Sequence, residues 1–139
     1  MLLQGNVIKS GKFWAVELPI LDVYTQGKTR KDALRMSVDA IALLLEDELG
    51  QAVKFKVHDP KGEFFALEPN ADAPVLALVL RRQRIKHDLT LAQVARRMGT
   101  KSTNAYAQYE QGKRSPGFNK FNALLAAINH ENRLVLNLV

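Results

Sequence analysis

Leu89-Thr90-Leu91-Ala92-Gln93-Val94-Ala95-Arg96-Arg97-Met98-Gly99 is the stretch that decides how the chain is read. Thr90, followed three residues later by Gln93, has capping-box spacing. The Thr hydroxyl accepts an early helix N–H while the Gln side chain reaches back to the cap. Val94, Ala95 and Met98 give this short helix an apolar face, and Ala95 is small enough for a second helix to cross close by. Gly99 stands where the turn needs a left-handed backbone. Ser102 then opens another helix through Tyr109 and Glu110, stopped by Gly112, with Tyr106 and Tyr109 on its inward face. Lys113-Arg114-Ser115-Pro116 follows as a basic loop. On the near side, Val75 to Lys86 reads as a helix packing Leu76, Val79, Leu80 and Ile85 inward. On the far side, a fourth helix carries Phe118, Phe121, Leu124, Leu125 and Ile128.

The first half of the chain has a different texture. Val7 to Leu18 reads as a hairpin, two β-prone runs about a Ser10-Gly11 turn, and Pro19 ends the second strand. Asp22 to Gln26 is a third extended piece, and Gly27 turns the chain into a helix capped by Thr29, with Asp32 completing the box pattern. Leu34, Val38, Ile41 and Leu45 form a helical stripe to lie on the sheet, and Gly50 marks the stop. Val53–His58 and Phe64–Leu67 read as further strands. Two prolines in Glu68 to Pro74 suggest a boundary, which gives an α+β unit over 1–68, a linker over 69–74 and a helical unit over 75–139.

Charge divides the chain in the same place. Residues 75–139 carry eleven Lys and Arg against three acids, a net of +8, whereas residues 1–74 carry nine bases and eleven acids, a net of −2. A basic half beside a slightly acidic one points to a polyanion for the basic half alone, with a merely solvated basic surface as the alternative. Arg81, Arg82, Arg84 and Lys86 crowd the first helical segment, and for them phosphate contact and plain solvation stand level. Cysteine is absent from all 139 residues, which excludes disulfides and thiolate metal sites and fits a reducing cytoplasm. No apolar run approaches the ~20 residues of a membrane span, and Met1 to Asn6 lack a signal-peptide layout. Glu17, Asp22 and Asp59 are the carboxylates from which a metal cluster could be built, but their spacing forms no ligand signature, and solvated surface is the better reading. His58, His87 and His130 stand apart from one another and from any carboxylate motif, and no phosphate-binding glycine loop or nucleophile elbow is present. The expectation is a protein that is not an enzyme and that uses neither metal nor cofactor.

Leu89-Thr90-x-x-Gln93-Val94-Ala95-Arg96-Arg97-Met98-Gly99, followed by Tyr109-Glu110-x-Gly112-Lys113-Arg114-x-Pro116, resembles the phage-repressor and Cro helix-turn-helix family over some fifty-five residues. The turn after Gly99 is one residue longer than is usual there, and Leu91 stands where relatives often carry a phosphate-contacting Gln. Counted back from Glu110, the family's base-reading positions fall on Thr103, Asn104 and Gln108. Asn and Gln can pair bidentately with adenine, and Thr can meet a thymine methyl. Lys101, Ser102, Lys113 and Arg114 flank that helix, where phosphate contacts set its position. The terminal stretch Arg133 to Val139 reads as an apolar strand without a sequential partner. An orphan strand exposes backbone groups and needs another strand. The preferred expectation pairs it with the same strand of a second copy through Leu134, Leu136 and Leu138, giving a homodimer or larger assembly on two-fold DNA. The alternative pairs it with the chain's own N-terminal sheet.

Tyr24-Thr25-Gln26-Gly27-Lys28-Thr29-x-x-Asp32-Ala33-Leu34, opening a helix ahead of a helix-turn-helix, is similar to the HicB-type antitoxins, although Pro19-Ile20-Leu21-Asp22 replaces that family's frequent Pro-Gly-Cys step. The resemblance implies a partial ribonuclease-H-like fold without catalysis, a HicA-like mRNA-cleaving toxin as partner, and repression of the chain's own operon through operator DNA. A transcriptional regulator whose N-terminal part senses a small ligand is the alternative.

Overall fold

The computed structural model describes residues 1–138. Strands β1 (Leu3–Ser10) and β2 (Phe13–Leu18) form the expected hairpin, with Ser10 paired to Phe13 across a turn in which Gly11 takes a φ of +60°. Pro19 opens a 3-10 turn through Leu21, and β3 (Val23–Gly27) returns against β2. Helix α1 (Arg30–Leu49) starts at Thr29, whose hydroxyl accepts from the Asp32 N–H at 3.1 Å, and ends at Gly50 with φ +63°. Strands β4 (Phe55–His58) and β5 (Phe64–Pro69) complete an antiparallel sheet in the order β3-β2-β1-β5-β4.

The two-residue alternation of the strands divides the sheet into two faces. Leu3, Val7, Val16, Leu18, Val23, Phe65 and Leu67 are buried on one, together with Leu34, Ile41 and Leu45 of α1, while Ile8, Phe13, Tyr24 and Phe64 stay exposed on the other. Gly27 makes the junction between sheet and helix possible. A Cβ there would lie 2.4 Å from the Ala33 nitrogen, so no other residue lets β3 approach the first turn of α1 so closely. Arg30 then ties this junction to the loop between β4 and β5. Its guanidinium donates to Asp59 (Nη2–Oδ1 2.7 Å) and to the Gly62 carbonyl, and lies 5.7 Å from the Trp14 ring centroid.

Helix α2 (Asp72–Lys86) follows almost at once, then α3 (Leu91–Arg97), α4 (Thr103–Glu110) and α5 (Phe118–Ile128). The expected linker over 69–74 contracts to Asn70 and Ala71, because Pro69 ends β5 and Pro74 lies buried in the first turn of α2. Helix α2 is covered by α1 on one side and by α4 and α5 on the other. Val75, Ala77, Leu78, Val79 and Leu80 are therefore all buried, a run that a single inward stripe does not describe. Ile85, expected inward, is 52% exposed, since the last turn of α2 runs out past its neighbours, and Phe118 is exposed at the start of α5.

The terminal strand is not formed among the described residues. Residues 132–138 hold no helix or strand, Leu134 rests half-buried on the core, and Val135, Leu136 and Leu138 are exposed. The alternative of pairing within the chain is not adopted, because the sheet's edges are β3 and β4. Val139 lies outside the described residues. None of the described helices is long and apolar enough to cross a membrane.

Candidate nucleic-acid interface

Thr90 and Gln93 form the full reciprocal box at the start of α3: the Gln93 N–H donates to the Thr90 hydroxyl (3.1 Å) and the Thr90 N–H to the Gln93 carbonyl oxygen (2.8 Å). Gly99 leaves α3 with a φ of +76°, a conformation that costs a glycine little. The chain then reaches Ser102, whose hydroxyl accepts from the Ala105 N–H at 3.3 Å and starts α4. Tyr106, Ala107, Tyr109 and Glu110 turn inward, which leaves Asn104 and Gln108, one helical turn apart, exposed on the opposite side with Thr103 half-buried beside them.

What fixes α4 is a buried ion pair. Glu110 is 3% exposed and accepts from Arg84 Nε at 2.7 Å, Arg84 Nη2 at 3.1 Å and the Tyr106 hydroxyl at 2.6 Å. The remaining Arg84 Nη1 donates to the Leu89 carbonyl at 2.8 Å, so one guanidinium ties α2, the α2–α3 turn and α4 together. The hydrogen bond that Arg84 donates to Glu110 raises the Arg84 pKa above its ordinary value. Burial, with the carboxylate adjacent, pushes the Tyr106 hydroxyl up strongly, and it remains a donor throughout the working range.

Four cations that sequence alone left open are thereby assigned. Arg84 belongs to the core. Arg81 and Arg82 both hold Glu48 of α1 (3.1 and 3.5 Å), Arg82 also donates to the Leu21 carbonyl at 2.6 Å, and Lys86 pairs with Asp22 at 2.9 Å. The last three join the helical unit to the N-terminal layer. Arg97 donates to the Ala127 and Ile128 carbonyls and caps α5.

Lys101, Lys113 and Arg114 remain exposed around α4. The N–H groups of Lys113 and Arg114 both donate to the Gln108 carbonyl, which folds the basic loop back against the helix end. The Arg114 guanidinium lies 5.2 Å from the Tyr109 ring centroid and the Lys120 ammonium 6.0 Å. Sequence reading missed Lys120 and Gln111, both exposed near this edge, and it missed the burial of Glu110. The available signal was Glu110 four residues after an inward Tyr106, a carboxylate on a face that had to be covered.

Glu17, Asp22 and Asp59 do not converge. Asp59 is held by Arg30 and Lys61, Asp22 by Lys86, and Glu17 stands beside Tyr24, whose hydroxyl pKa it raises. The Arg30 hydrogen bond keeps the Asp59 carboxyl well below the usual carboxylate range. His58, read as isolated, stands 2.6 Å from Glu68, whose pKa it lowers.

Residues 80–130 match the helix-turn-helix family, over α3, α4, α5 and the second half of α2 from Leu80. A search of the curated proteins returns no match to the chain. The class defined by this match and by the geometry of α3 and α4 is a DNA-binding transcriptional regulator.

Proposed function

We propose that this chain represses transcription by binding operator DNA as a homodimer, and that it is an antitoxin of the HicB type masking a HicA-like, mRNA-cleaving toxin. Binding rather than catalysis is the role assigned to both halves. The observation that carries the DNA half is α4. Its amide side chains Asn104 and Gln108 project to solvent while Arg84, Glu110 and Tyr106 hold the helix from behind. Side chains of this kind, on a rigid helix flanked by Lys101, Ser102, Lys113 and Arg114, suit base edges in a major groove, with Thr103 at the margin.

The antitoxin half rests on the Thr25-x-Gly27-x-Thr29-x-x-Asp32-Ala33 motif at the β3–α1 junction, and on the partial ribonuclease-H-like lineage that its resemblance implies. The open face of the sheet supports it. Ile8, Phe13, Tyr24 and Phe64 expose apolar surface of the kind that marks protein interaction sites. A layer with net −2 suits a basic RNA-cutting partner. For the homodimer, the support is the unpaired tail carrying Leu134, Leu136 and Leu138, together with the two-fold sites such domains read. A small-ligand sensor has one observation in its favour, a concavity on the same open face lined by Asn6, Ile8, Ala15, Glu17, Tyr24 and Gln26. Ligand sites bury most of their ligand, whereas this surface is open, so a protein partner fits it better.

The test is co-expression of the tagged full chain with the product of the adjacent gene. The expected result is a stable complex with RNA cleavage suppressed, lost in an Ile8→Asp/Tyr24→Asp variant that still binds DNA. A neighbouring product that neither co-purifies nor is inhibited overturns the antitoxin reading.

A further inference from the structure

A cleft opens where the end of α1 meets the turn after α4. Glu48, Leu49 and Gln51 line it from the N-terminal layer, and Arg81, Leu91, Gln111 and Lys113 line it from the helical unit. Its place relative to α4 gives it meaning. Asn104, Gln108 and Gln111 are all exposed and follow one another at four- and three-residue steps, so Gln111 continues the exposed side of α4 at its end, and Lys113 is exposed in the turn that follows. A helix with side chains is about 10–12 Å across, and the major groove is about 12 Å wide. A helix seated there therefore has phosphate strands directly at its flanks, and the cleft, through Gln111 and Lys113, adjoins the end of that helix.

The electrostatics of the cleft favour an anion. Both carboxylates that line the cleft are already engaged, Glu48 by Arg81 and Arg82, and Glu110 by Arg84 and Tyr106. Arg81 uses only its Nε in that contact and its side chain is still 37% exposed, which leaves the terminal N–H groups of its guanidinium for another acceptor. Lys113 forms no ion pair among the described residues, and Gln51 is exposed with amide donors.

We propose that this cleft receives a backbone phosphate of the bound DNA, and that Gln51, from outside the helix-turn-helix, hydrogen-bonds it alongside Lys113 and Arg81. The proposal rests on the DNA-binding reading and extends the contact surface onto the N-terminal layer. Any partner that covers the end of α1 would then compete with DNA directly.

The test measures affinity of the full chain for a short duplex of fixed arbitrary sequence by fluorescence anisotropy over a series of salt concentrations. Gln51→Lys should tighten binding and steepen the dependence of log K on log salt by about 0.9, the value of one added phosphate contact. Gln51→Glu should weaken binding, and Gln4→Lys, the same charge change on the far face of the sheet, should leave the slope alone. Lys113→Ala should flatten the slope by about 0.9. If Lys113→Ala flattens it but both Gln51 variants match the wild type, the phosphate is not in this cleft and the DNA-binding reading stands. If none of the variants moves the slope, both fail.

Discussion

Glu110→Gln isolates the device that holds α4. The carboxylate is 3% exposed and takes two hydrogen bonds from Arg84 and one from Tyr106. An amide keeps the shape but leaves the Arg84 charge, on a side chain only 13% exposed, without its counter-ion. Breaking a buried pair from one side costs about 3–5 kcal/mol, and the isosteric change should fall at the lower end, about 3 kcal/mol. At roughly 3 °C per kcal/mol for a chain of this size, the melting temperature should drop by about 10 °C. Tyr106→Phe removes one neutral donor and leaves the bidentate pair, so it should cost only about 1 kcal/mol. Replacing both charges and the hydroxyl that depends on them, Arg84→Met with Glu110→Leu and Tyr106→Phe, should recover most of the loss, because an apolar cluster of similar volume carries no desolvation cost and leaves no buried hydroxyl without an acceptor. Urea unfolding followed by circular dichroism supplies the free energies. A Glu110→Gln variant within about 1 kcal/mol of the wild type, or an apolar triple variant as unstable as the single, would refute the reasoning.

Two further outcomes follow from other parts of the structure. Asp59→Asn removes the anchor of Arg30 and should cost about 2 kcal/mol at neutral pH. Because folding lowers the Asp59 pKa, its contribution is full above the unfolded value of about 3.9 and fades as pH falls towards the folded one. The gap between wild type and variant in unfolding free energy should therefore shrink in acid, and a gap independent of pH contradicts the assignment. Deleting residues 133–139 should turn a dimer into a monomer by sedimentation and weaken operator binding. An intact dimer after truncation removes the tail from the interface.

Local chemistry was the legible part of this sequence. Thr29, Thr90 with Gln93, Ser102, Gly50 and Gly99 each act within a few residues of themselves, and each stands where the spacing placed it. The inward stripe of α1 was equally readable, because that helix has one covered face. Helix α2 was not, since it is enclosed by both layers and its periodicity is lost in Val75 to Leu80. Its arginines look alike in sequence, yet Arg84 is bound to Glu110 twenty-six residues away and Arg81 to Glu48 thirty-three away. Such pairings are set by tertiary approach and leave no local trace. On α4 the inward side of Tyr106 and Tyr109 was legible, and Asn104 and Gln108 are exposed opposite them, while their candidacy as base readers came from the family resemblance. The cleft beside Gln51 was not, because it is made by two segments far apart in the chain.

The central claim is that α4 reads bases. Selecting bound sites from a random-sequence duplex library, with the wild type and with Asn104→Ala and Gln108→Ala, tests it most directly. The account predicts a two-fold symmetric motif for the wild type. It also predicts that each variant loses preference at one position per half-site, at a cost of about 1–3 kcal/mol there, while non-specific affinity holds. No enriched motif, or motifs from both variants identical to the wild type's, would contradict it.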